Sequence, residues 1–210
     1  MTKFLWFRES APSEFVRASS REQLRRVSSG EGADTEGLPR QAGWRSRGHR
    51  LESPHDREAD GVILSGSYDM LSSARTQAKF AREIDAMKDH GGPALGVCFG
   101  HQLLGHAFGS RVVRAANPAK GYRDAEVLRR DTLFRGLPHS IGVYESHREE
   151  VESLPAGFAH LARSSTAEIC AMKHSGLPIY GVQFHPERYS LEKPDGEVIL
   201  ANFVEHLVKD

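Results

Sequence analysis

The stretch Pro93-Ala94-Leu95-Gly96-Val97-Cys98-Phe99-Gly100-His101-Gln102 constrains this chain more than any other. An apolar, strand-like run ends at Val97, and a helix-like run from Phe99 to Phe108 begins directly after Cys98. Glycines flank the cysteine two residues away on each side. Gly-x-Cys-x-Gly between a strand and a helix is the cysteine form of the sharp turn called the nucleophile elbow. The turn is so tight that side chains two residues away would collide with neighbouring strands, which favours hydrogen at both positions. The thiol is lifted to the sheet edge at a helix N-terminus, whose partial positive charge favours thiolate. A buried, inert cysteine is the bland alternative, and it accounts for neither glycine.

A second stretch, Tyr180-Gly181-Val182-Gln183-Phe184-His185-Pro186-Glu187, delivers a histidine and then a carboxylate from the end of an apolar-alternating strand. A thiol nucleophile needs a base to take its proton and return it to the leaving group. That base needs an acidic partner to fix its tautomer and stabilise its cation. Pro186 restricts His185 to extended backbone. The triplet alone carries little weight; paired with the elbow it reads as the rest of a catalytic triad.

With these residues in place, the chain resembles the class I glutamine amidotransferases, a Cys-His-Glu family that hydrolyses glutamine to glutamate and ammonia. The resemblance is carried, over about residues 58–208, by Gly61-Val62-Ile63-Leu64-Ser65-Gly66-Ser67, Gly96 to Gln102, and Gly181 to Glu187. Glu145-Ser146-His147-Arg148-Glu149-Glu150-Val151, Leu154 to Phe158 and Ala171-Met172-Lys173-His174 are similar to the GMP-synthase glutaminase branch. The resemblance implies Cys98 as nucleophile, His185 as general base and acid, and Glu187 as the orienting carboxylate. It implies an oxyanion hole from the backbone N–H groups of Phe99 and Ser67. Many members have a second glycine and then a proline where this chain has Ser67 and Tyr68, a change that leaves the backbone donor in place. Gly66, Gln102 and the backbone at His147 and Arg148 match positions that grip the α-amino and α-carboxylate groups of glutamine.

Composition bounds the remainder. Over 210 residues, 28 basic and 28 acidic side chains give a net charge of +0, so no global field invites nucleic acid or an anionic membrane. No apolar run approaches the ~20 residues needed to cross a bilayer, and residues 1–8 lack the features of a secretory signal. Cys98 and Cys170 do not make a disulfide framework, and a thiol nucleophile suits a reducing compartment; the expectation is cytoplasmic. His101 and His106 miss the i, i+4 spacing of paired ligands, so neither a metal nor another cofactor is expected. There is no phosphate-cradling Gly-x-x-x-x-Gly-Lys-Ser/Thr loop and no Ser-Gly-Gly-x-Asp pyrophosphatase signature, so no ATP site is visible.

The pattern from Asp60 onward predicts a strand at Val62–Leu64, a helix at Thr76–Lys88, the elbow strand Ala94–Val97 and its helix. Strands follow at Ala125–Leu128, Ile141–Tyr144, Ala159–Ala162, Ile169–Met172 and Ile179–Phe184, then a terminal helix with Val198, Ile199, Phe203, Val204, Leu207 and Val208 at helical spacing. Alternating strands and helices predict an α/β, flavodoxin-like sandwich with a mostly parallel central sheet flanked by helices. Its site belongs at the carboxyl ends of the strands, where Cys98 and His185 both fall. Phe4-Leu5-Trp6-Phe7 reads as a first strand and Glu14–Val27 as a helix. Residues 28–57, rich in glycine and arginine and poor in aliphatics, read as loop or disorder. This divides the chain into an atypical segment 1–57 and an amidotransferase domain 58–210. Three functions stay open: a glutaminase feeding a separate synthetase, a freestanding γ-glutamyl peptidase or hydrolase, and a catalytically silent regulatory member. The intact Cys98, His185 and Glu187 argue against the last.

Overall fold

The computed structural model describes residues 4–7 (backbone only) and 61–207. The expected helix at Glu14–Val27, the segment 28–57 and the boundary at 57/58 lie outside the described residues. Eight strands form one sheet: β1 (Phe4–Phe7), β2 (Gly61–Leu64), β3 (Ala94–Val97), β4 (Val112–Val127), β5 (Ser140–Val151), β6 (Phe158–Ser164), β7 (Ala171–His174) and β8 (Ile179–Val182). Their spatial order is β1-β2-β3-β8-β7-β6-β4-β5. The helices are α1 (Ala74–Lys79), α2 (Ala81–Asp89), α3 (Phe99–Ala107) and α4 (Asp195–His206), with single 3₁₀ turns at Thr132–Phe134 and Pro186–Arg188.

The α/β sandwich is as expected, but the sheet is mixed. β1, β2, β3 and β8 run parallel, whereas β7, β6, β4 and β5 continue it antiparallel. The parallel half needs crossover helices, and α1, α2 and α3 supply them around β2 and β3. Beyond β4 no α-helix intervenes before β8: β5 and β6 both run antiparallel to β4, and β7 and β8 reverse in turn. Covered on both faces, β2, β3 and β8 are buried at every position, as parallel strands require.

Two apolar layers enclose the sheet. One packs Ile84 and Met87 of α2 and Leu103 and Leu104 of α3 beside Val62 and Leu64. The other packs Ile199, Leu200, Phe203 and Val204 of α4 with Leu133, Phe134, Tyr180, Val182 and Phe184. Each fully buried large side chain contributes about 1.5–3 kcal/mol. α4 carries Asp195 and Glu197 in its first turn and His206 in its last, which suits the helix dipole. Asp195 Oδ2 also accepts the N–H of Gly142 at 2.7 Å, tying α4 to β5.

Several element boundaries differ from the sequence reading: the strand expected at Ile169–Met172 is Ala171–His174, and the one expected at Ile179–Phe184 ends at Val182. The expected helix at Thr76–Lys88 is two helices that break at Phe80, which leaves helical geometry to stack on Phe99 at 4.8 Å. β4 and β5 extend well beyond the short strands expected at Ala125–Leu128 and Ile141–Tyr144. Their pairing shifts register between Arg114 and Ala119.

Candidate active site

The elbow forms as the glycine spacing requires. A Cβ on Gly96 would lie 2.5 Å from the Gly100 carbonyl oxygen, and one on Gly100 would lie 2.2 Å from that of Leu64. Hydrogen at both positions lets β2, β3 and α3 close together. Cys98 sits between them at φ 53° and ψ −101°, the one non-glycine residue with positive φ among the described residues. Such a conformation costs on the order of 1–3 kcal/mol and persists only where its surroundings enforce it. Here the Cys98 N–H donates to Val182 at 2.8 Å, and its carbonyl accepts from Gln102 N at 3.1 Å.

β8 lies directly beside β3, with Val97 opposite Val182. The chain then runs through buried Gln183 and Phe184 to His185, whose N–H donates to the Tyr144 carbonyl at 2.7 Å. Pro186 starts the 3₁₀ turn that brings Glu187 back, so that His185 Nδ1 and Glu187 Oε1 are 2.7 Å apart. The remaining ring nitrogen is left for Cys98. Burial opposes charge on His185, yet hydrogen bonds to Cys98 and Glu187, with the negative charge of each, raise its pKa from 6.5 to about 10. The turn is braced from outside: the Arg188 guanidinium lies 4.2 Å from the Tyr144 ring centroid, and Tyr122 Oη donates to the Arg188 carbonyl at 2.7 Å.

Cys98 opens into a cavity of about 480 Å³ lined by Ser67–Met70, Gln102, Pro118–Lys120 and Ser146–Glu149. Of the expected substrate residues, Gln102, His147 and Arg148 line it. Gln102 is buried, its Nε2 donating to the Glu149 carbonyl at 2.7 Å and to Gln183 Oε1 at 3.2 Å. Gly66 is buried behind Ser67 and is not among the lining residues. Ser67 Oγ accepts from Asp69 N at 3.0 Å, a local turn that fixes the loop. Phe99 is buried and opens α3, whose first-turn N–H groups have no partner within the helix. Both expected oxyanion donors thus lie on segments next to Cys98.

Several lining residues had no role in the sequence reading of the site, Asp69, Met70, Pro118, Ala119, Lys120 and Glu149 among them. Lys120 becomes visible only through its pairing with Ser146 across β4 and β5. Glu149 falls within the stretch already singled out. It is buried at 2 % exposure, accepts from Ser72 N through Oε2 at 3.2 Å, and leaves Oε1 without a protein partner. The wall therefore carries the basic residues Arg148 and Lys120 and the acidic residues Glu149 and Asp69, the last paired with Lys79 at 2.5 Å. His101 is buried and its pKa is lowered by burial to about 3, so it is a neutral packing residue. Cys170 is fully buried just before β7, and burial, followed by the nearby Glu145 charge, pushes its thiol up. Among the described residues no helix is long and apolar enough to cross a membrane.

Residues 40–207 match the family described as glutamine amidotransferase class-I. A relative from Thermococcus kodakarensis, named as one subunit of a glutamine-hydrolyzing GMP synthase, is 41% identical over 155 residues, 74% of this chain and 79% of that protein. The protein of the same name from Methanosarcina barkeri is 45% identical over 148 residues, 70% of this chain and 74% of its own. A crystal structure from Thermoplasma acidophilum, described as a GMP synthase subunit, superimposes with a TM-score of 0.72 at 30% identity, covering 97% of this chain and 92% of that one.

Proposed function

The chain belongs to the class I glutamine amidotransferase family, and on that premise we propose that it hydrolyses the side-chain amide of glutamine and supplies the ammonia to a separate synthetase subunit. The observation that carries this reading is one line of contacts. Cys98, held at positive φ, is tied through its N–H to Val182 at the end of β8, and three residues further on His185 lies 2.7 Å from Glu187. A silent member of the fold would need neither the strained backbone nor the paired imidazole.

In this reading the Cys98 sulfur, its proton held by His185, attacks the amide carbon of glutamine. The C–N bond breaks as His185 returns the proton to the departing nitrogen, so ammonia leaves and a γ-glutamyl thioester remains on Cys98. Water, deprotonated by His185, then attacks the thioester; glutamate departs and the thiol is restored. Glu187 holds the imidazole and stabilises its cation throughout. The backbone N–H groups of Phe99 and Ser67 receive the oxyanion, each worth on the order of 10²–10³ in rate. Gln102 and the His147–Arg148 backbone grip the α-groups of the substrate, and Gly66, outside the lining, holds the turn that presents Ser67. Arg148 and Lys120 supply positive charge for its carboxylate, and Glu149 Oε1 supplies a free acceptor for its ammonium.

The partner assignment draws on the relatives: they bear the name of one subunit of a glutamine-hydrolyzing synthase, which implies another subunit that consumes the ammonia. No nucleic acid or membrane is part of this reading. Release of ammonia from glutamine, compared between the native protein and Cys98→Ala, tests it. Turnover by the first and none by the second is expected; equal rates would overturn it.

A further inference from the structure

β5 buries a pair of ionisable side chains that the chemistry above leaves unused. Glu145 and His147 sit two residues apart on one face of the strand, with side chains 0% and 1% exposed. His147 Nε2 lies 2.9 Å from Glu145 Oε2. Thr166 Oγ1 donates to the same oxygen, Ser164 adds a hydrogen bond, and Cys170 Sγ lies 4.0 Å from Oε1. Burial works against charge on Glu145, but the hydrogen bonds from His147, Thr166 and Ser164 outweigh it and hold its pKa below the usual carboxylate value. An ionised carboxylate only accepts, so His147 Nε2 carries a proton.

The backbone beside this pair gives it meaning. The Tyr144 carbonyl receives the His185 N–H at 2.7 Å, and Cys98 Sγ lies 3.6 Å from the Ser146 carbonyl oxygen. Glu145 lies between those two residues. One short segment therefore touches both members of the nucleophile–base pair, and its central side chain is clamped by His147 and by the turn between β6 and β7. Stability alone gives little reason for such a clamp, because buried ion pairs replaced by apolar side chains of similar volume often leave a protein as stable or more so.

We propose that Glu145 is a positioning residue: through His147 and Thr166 it fixes the Tyr144–His147 segment where its carbonyls meet His185 and Cys98. The proposal rests on the triad reading above. It adds a residue that never touches substrate but sets the alignment of the two groups that do.

Glu145→Gln keeps the shape and removes the charge. Two quantities are read on the full chain, normalised to the amount of reactive Cys98. One is kcat and KM for glutamine. The other is the rate of Cys98 alkylation by iodoacetamide, a small neutral reagent that needs no glutamine site. Misalignment by an ångström can cost up to about 100-fold, so kcat is expected to fall at least about tenfold, with KM within about threefold and alkylation slowed. Thr166→Val, which removes one donor from the outer end of the clamp, is expected to shift both rates the same way by less, and carries the test if Glu145→Gln does not fold. A merely structural role would lower the yield of folded protein without changing either normalised rate, and that result would overturn the proposal. So would a loss confined to KM. If the native protein alkylates at Cys98 yet leaves glutamine intact, the glutaminase reading fails, and the alkylation comparison still decides the role of Glu145.

Discussion

The backbone N–H of Cys98 donates to the carbonyl of Val182 at 2.8 Å, which stitches the nucleophile to the strand that delivers its base. Parallel pairing of β3 with β8 puts the two chain segments side by side at the carboxyl edge of the sheet. The distance between Cys98 and His185 is therefore a property of strand register, set before any side chain is chosen.

Gly100→Ala tests that packing. In an ordinary helix interior the change would stabilise by about 0.5–1 kcal/mol. Here the new Cβ would lie 2.2 Å from the Leu64 carbonyl oxygen, so the expected sign is reversed. A loss of about 1–3 kcal/mol is predicted from overpacking, read as a lowered urea midpoint. A gain in stability would show that α3 does not close on β2 as described.

The elbow is legible in the sequence because its constraint is local: two glycines, a cysteine and a change of period within ten residues. The strand bearing His185 is legible for the same reason. β5 is not, because beyond Tyr144 its inward positions are Glu145, His147 and Glu149, and polar residues on that alternation read as the end of a buried strand. β4 is hidden by Asn117-Pro118 and by the register shift, which break the alternation midway. The mostly parallel expectation over-extends because strand patterns reveal direction only through their connections, and no α-helix intervenes between β4 and β8. Lys120 reaches the site through its pairing with Ser146 across β4 and β5, which no local pattern carries.

Stability should depend on pH through His185. Burial opposes its charge, but Cys98 and Glu187 raise its folded pKa to about 10, above the unfolded value of 6.5. A raised pKa gives stability that is fully present below about 6.5 and is lost as pH climbs towards 10. Glu187→Gln removes one of the two supporting charges and should flatten that decline. Urea midpoints from pH 6.5 to 10 for both proteins measure it, and parallel curves would contradict the assignment.

A γ-carbonyl electrophile built on glutamine should add once, at Cys98. Cys170 is fully buried and its thiol is pushed up by burial and by Glu145, so Cys98→Ala should take no label although Cys170 remains. His185→Ala should slow labelling sharply, and Glu187→Gln should slow it less, since Glu187 orients the base without transferring the proton. Intact-mass analysis and peptide mapping read the adduct; one found on Cys170 would refute the elbow assignment.

A glutaminase whose ammonia serves a separate synthetase gains by staying slow until that synthetase is bound. Ser67–Met70 and the His147–Arg148 stretch of β5 line the cavity, where a docked partner would reach them and shift their positions. The decisive measurement is kcat/KM for glutamine and for γ-glutamyl peptides, taken with the chain alone and with a GMP-forming synthetase and its nucleotide substrate. Slow glutamine hydrolysis by the chain alone is predicted, with a clear rise when the synthetase and nucleotide are added and no preference for the peptides. Rapid turnover of γ-glutamyl peptides by the isolated chain, unchanged by the synthetase, would contradict this function.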